Sequence, residues 1–138
     1  MARKSLKKKG GFIETSKFSM EESKMYIVAA IICFHILPLF FVFMGETGQT
    51  ILWQVFWTLL NPILIFCICC FHACRLGFCV KFPLITGVLA IMSVIMYYQS
   101  AEATGMVAGV MISVGVYMIL AFGAEAVGGL LKRMIGGM

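Results

Sequence analysis

The chain has 138 residues, enough for one domain. Of these, 62% are apolar and only 12% are charged, against about 45–50% and about 25% in an ordinary soluble domain. A globule of this size cannot hide so much apolar surface, which argues against a soluble fold and makes the lipid bilayer the expected partner. The net charge of +5 does not argue for nucleic acid, because the basic residues gather at the chain ends and in one connection.

Residues 1–24 are polar and open with "KSLKKKGG" after a few residues. They read as a basic, disordered cytoplasmic tail, or one resting on anionic headgroups, where each basic residue gains about 1 kcal/mol. A four-span transmembrane domain over 25–133 follows, and 134–138 form a short C-terminal tail. The first span is Met25–Met44, "MYIVAAIICFHILPLFFVFM". It is too long for the apolar core of a signal peptide, and no small-x-small cleavage pattern follows it. The second is Ile51–Phe71, the third Phe82–Tyr98, and the fourth runs roughly over Met106–Val127. Crossing the hydrocarbon takes about 20 residues, so the third is short. In lipid each segment must satisfy its own backbone, which predicts helices. The connections "GETGQT" and "QSAEATG" are short, so consecutive helices are antiparallel neighbours. The expected fold is all-α: an integral membrane up-down four-helix bundle.

Orientation follows from charge. With both termini in the cytoplasm, all of Arg3, Lys4, Lys7, Lys8, Lys9, Lys17, Lys24, Arg75, Lys81, Lys132 and Arg133 lie inside. The two outer loops hold only Glu46 and Glu102. Basic residues favour the cytoplasmic side most strongly in short loops, and three or five spans would break the agreement. The expected location is therefore the cell membrane, multi-pass. Tyr97 and Tyr98 suit an outer interfacial belt, and Trp53 and Trp57 read as an outer-leaflet anchor with packing.

Polar residues inside the spans are candidates for function, because burying them in lipid is costly. In span one, Pro38 cannot donate to the Phe34 carbonyl, and His35 is placed to help satisfy that broken turn. The alternatives for His35 are a proton relay or a ligand contact. Asn61 and Pro62 sit at a comparable depth in span two, where two kinks side by side could open a small polar cavity.

The same span ends in "CICCFHACRLGFC". Cys67, Cys70 and Cys74 share one helical face, while Cys69 and His72 share another. On the reducing side of the membrane stable disulfides are not expected. No second ligand pair completes a zinc site, so the cysteines read as helix packing and no metal is assigned, with a metal site, lipidation or redox sensing as the alternatives. His35 and His72 differ in depth by roughly 12 Å at helical rise, too much to share a haem.

In span four, Gly105, Gly109 and Ser113 recur every four residues, and Ala124 and Gly128 repeat the spacing. Such small-residue rows let helices approach closely, so this stripe is expected to pack against another helix, in the same chain or in a second copy. Glu125, near the inner boundary, is expected to snorkel or to pair with Lys132, Arg133 or Arg75, with a proton-coupled carboxylate as the alternative. No recognised catalytic motif is present and no paired carboxylates lie at one depth, and no enzyme or cofactor is expected.

The "NP" of span two, the loop "CRLGFCVKFPLI", then "MYYQSAEA" and a last span with Tyr117, Gly123 and Gly128 resemble small, uncharacterised four-span membrane proteins of bacteria. The resemblance covers roughly residues 25–133 and implies no activity, so no site residue carries over. Small multidrug resistance transporters share the size and span count but need a glutamate embedded in the first span, where this chain has His35. The expected function is a non-enzymatic subunit or accessory component that assembles with other membrane helices. The alternative is a small oligomeric transporter or channel using His35, Asn61 and Glu125.

Overall fold

A computed structural model of the chain describes residues 19–43, 52, 55–97 and 106–136. Every element among them is helical. Helix α1 covers Met20–Leu39, α2 Phe56–Leu76, α3 Lys81–Tyr97 and α4 Met106–Gly136. Three stretches are long and apolar enough to cross a membrane: α1, α2 and the Ile112–Gly136 part of α4. The third helix has 17 residues, at the lower limit of the crossing range of about 17–25. The first helix starts at Met20 rather than Met25, and the fourth continues beyond Val127 to Gly136.

Proline shapes the first two helices in the same way. A π-turn over Ile32–Ile36 precedes Pro38, and another over Phe56–Leu60 precedes Pro62. In each, the closing N–H reaches five residues back: Leu37 to the Ile32 carbonyl, and Asn61 to the Phe56 carbonyl. Pro38 cannot serve the Phe34 carbonyl four residues before it. The Ser93 hydroxyl of α3 donates to that carbonyl instead. The turn that His35 was expected to help satisfy thus receives a donor from a neighbouring helix. In α2 the π-turn bypasses the Trp57 carbonyl, and the Tyr117 hydroxyl of α4 donates to it at 3.0 Å. Hydroxyls on adjacent helices commonly rescue backbone groups freed in this way.

The four helices meet through a narrow interior. Its apolar part includes Ala30, Phe34, Ile65, Cys69, Phe82, Ala90, Ala121 and Ala124. Small residues bring α4 closest to α2. A Cβ added to Gly128 would lie 2.3 Å from the Cys70 carbonyl oxygen and 2.8 Å from the Ala73 Cβ, so only glycine fits there.

The distribution of polarity is inverted relative to a soluble protein. Ser23, Asn61, His72, Thr86, Ser93 and Glu125 are all buried. Large apolar side chains face outward on every helix: Val28, Ile32 and Ile36 on α1, Leu59 and Ile63 on α2, Leu84, Val88 and Met92 on α3, Ile112 and Ile119 on α4. Soluble monomers rarely expose contiguous apolar surface on this scale.

Candidate functional site

The row Ala121, Ala124 and Gly128 lets α4 lie against α2. On the same inward side, Glu125 points at the end of α2. Its Oε1 is 2.8 Å from His72 Nδ1. The other ring nitrogen, Nε2, is 3.0 Å from the Ser23 hydroxyl of α1. Ser23 reaches this place because α1 begins at Met20, so the residue lies one turn inside a helix, with its N–H bonded to the Ser19 carbonyl at 3.0 Å.

The link from α2 to α3 supplies a further donor. Gly77 ends α2 with φ of 98°, a conformation that L side chains rarely adopt. Its N–H bonds the Ala73 carbonyl at 2.9 Å. The turn brings the Cys79 N–H to Glu125 Oε1 at 3.3 Å. Phe82, at the start of α3, stacks on the His72 ring with centroids 3.6 Å apart and planes within 3°. Tyr26 of α1 meets the imidazole edge-on at 5.4 Å. Side chains from all four helices thus converge on one imidazole, and His72 and Glu125 are 1% and 0% exposed.

Glu125 Oε2 has no hydrogen-bond partner among the described residues. That atom marks the site as unfinished, because buried polar atoms are normally paired. The order serine–imidazole–carboxylate is that of a nucleophilic triad. Ser23, however, is only 1% exposed, so its hydroxyl is closed to a substrate. The arrangement is better suited to holding helices together and to holding a proton.

The expectation that Glu125 would snorkel or pair with Lys132, Arg133 or Arg75 is corrected: the carboxylate is fully buried and bonds His72 and Cys79. The Cys69–His72 face of α2 is the one turned inward, whereas Cys67 is exposed and Cys70 and Cys74 are half-buried. Asn61 is fully buried near the Tyr117 phenol, and neither amide atom is hydrogen-bonded among the described residues. His35 is half-buried within the π-turn of α1 and takes no part in the His72 cluster. Ala124 and Gly128 are buried and Ser113 is half-buried. Gly109 lies in α4, but its surroundings, like Gly105 itself, fall outside the described residues.

Sequence reasoning did not find Ser23, which fell in the stretch assigned to the tail. His72 was given no role beyond sharing a face with Cys69. Only the shared helical face of Cys69 and His72 pointed to the inward side.

Compared with protein-family models, with curated proteins and with solved structures, the chain matches none.

Proposed function

We propose that the chain is a small multi-pass component of the cell membrane, an up-down four-helix bundle with both termini in the cytoplasm, non-enzymatic and assembling with other membrane helices. The observation that carries this reading is the inversion of polarity, with polar side chains inside and large apolar side chains outside on every helix. The pairings Ser23–His72–Glu125, Phe34–Ser93 and Trp57–Tyr117 support alternating helix directions. The likeness to small four-span bacterial membrane proteins belongs to the same reading.

Assembly is assigned to the outward side of α4. Gly115 and Gly123 are exposed there, beside Ile112 and Ile119. A Cβ added to either glycine would meet nothing within 4 Å, so another helix can approach the backbone closely. The test is recovery of the tagged protein from membranes in mild detergent. A stoichiometric partner, or a second copy, is expected with the wild type. Gly123→Leu is expected to release it by about tenfold, while the variant keeps its own thermal stability. Full retention by Gly115→Leu/Gly123→Leu would sink the assignment.

A second reading, a small oligomeric transporter, draws on the unpaired Glu125 Oε2 and the buried amide of Asn61. Its test is solute or proton flux in vesicles that is lost in Glu125→Gln.

A further inference from the structure

We infer that His72 and Glu125 form a proton-binding site that latches the four helices together. A buried imidazole and carboxylate sharing a 2.8 Å contact hold their exchangeable proton in common. With one exchangeable proton bound, the pair has no net charge, either as imidazolium with carboxylate or as imidazole with carboxylic acid. Without that proton it carries one negative charge. The contacts that Glu125 makes among the described residues are His72 and the Cys79 N–H. Among the described residues the groups facing the pair are Ser23 and Tyr26 from α1, Cys69 and Cys70 from α2, and Cys79 and Phe82 from the link and α3. None of these supplies a positive charge. A lone buried charge is costly, so the proton-bound form is the one this packing fits.

Both protonation states order the hydrogen bonds differently. Without the proton, Nδ1–H donates to the carboxylate and Nε2 accepts from the Ser23 hydroxyl. With it, Nε2–H donates to Ser23 Oγ, and the Nδ1–Oε1 contact keeps one hydrogen. Ser23 therefore reverses its role, and the link to α1 senses the proton. Release of the proton leaves α4 holding a bare carboxylate whose Oε2 has no hydrogen-bond partner among the described residues. The relief open to it is water entering as α4 separates from α2 and the Gly77–Val80 link. A helix-assembly role for the outer face of α4 stands or falls independently of this site.

The test uses the full chain in lipid vesicles. Infrared difference spectra and thermal unfolding are followed between about pH 5 and about pH 9, a window that brackets the ordinary histidine value. The wild type is expected to show carboxyl and imidazole bands that change together. Its melting temperature is expected to fall by about 5 °C toward the alkaline end. Glu125→Gln, which keeps a neutral side chain of the same shape, is expected to lose the carboxyl band and to flatten the melting profile. If Glu125→Gln does not fold, Glu125→Asp replaces it and is expected to move the midpoint of the wild-type profile. Bands and melting that ignore pH in the wild type would overturn the inference. So would a profile unchanged in Glu125→Gln or, in its place, Glu125→Asp.

Discussion

His72 and Glu125 are each the other's main reason for being tolerated in an apolar interior. Removing one partner strands the other, and a stranded buried charge costs about 3–5 kcal/mol. His72→Ala and Glu125→Ala are each expected to destabilise the fold by about that amount, measured by denaturant unfolding in bicelles. The double variant His72→Phe/Glu125→Leu is expected to recover part of the loss, because no charge is stranded, although the Ser23 hydroxyl and the Cys79 N–H lose these partners. Strictly additive losses in His72→Ala/Glu125→Ala would mean that the 2.8 Å contact carries no coupling. The sequence made Glu125 conspicuous, as an acid in an apolar run. It offered salt-bridge partners nearby in the chain, but helical phase turned the carboxylate inward, away from Lys132 and Arg133. Ser23 was illegible for a different reason: a serine among charged residues looks like tail, and only the early start of α1 carries it into the interior.

At the scale of elements, the proline turns couple helices that are distant in sequence. Pro38 frees the Phe34 carbonyl, and Ser93 of α3 binds it. Ser93→Ala is expected to cost about 1 kcal/mol, in the range of hydrogen bonds between membrane helices. In a Pro38→Ala background residue 38 regains an N–H that can bond the same carbonyl. The cost of Ser93→Ala is then expected to fall to about zero, since the orphan acceptor is gone. Unfolding of the four species gives the comparison, and an equal cost in both backgrounds would remove the proline from the explanation. The sequence did identify the deprived carbonyl, because the loss follows from covalent chemistry. It could not identify the donor, because Ser93 meets Phe34 only through packing. The π-turns were also hidden: Pro38 and Pro62 signal a break but not how the preceding turn absorbs it.

For the whole molecule, charge and packing agree on one end. Lys24, Arg75, Lys81, Lys132 and Arg133 are all exposed. They sit at the start of α1, the end of α2, the start of α3 and the end of α4, the segments joined by Ser23, His72, Cys79 and Glu125. The sequence had grouped the same charges by counting spans, with no knowledge of these contacts. What it could not supply was helix length: α3 has 17 residues, so the proposed fourth crossing would require a small tilt and close agreement with the hydrocarbon thickness. Basic residues near span ends set orientation in short-looped proteins. The expected topology therefore places this end, with both termini, in the cytoplasm. In sealed right-side-out vesicles, protease should leave tags at both termini intact until the membrane is permeabilised. A cysteine introduced as Arg75→Cys should react with an impermeant maleimide only after permeabilisation. Labelling of that position from outside, or protection of one terminal tag without the other, would place the buried imidazole–carboxylate pair at the wrong face or reduce the number of crossings.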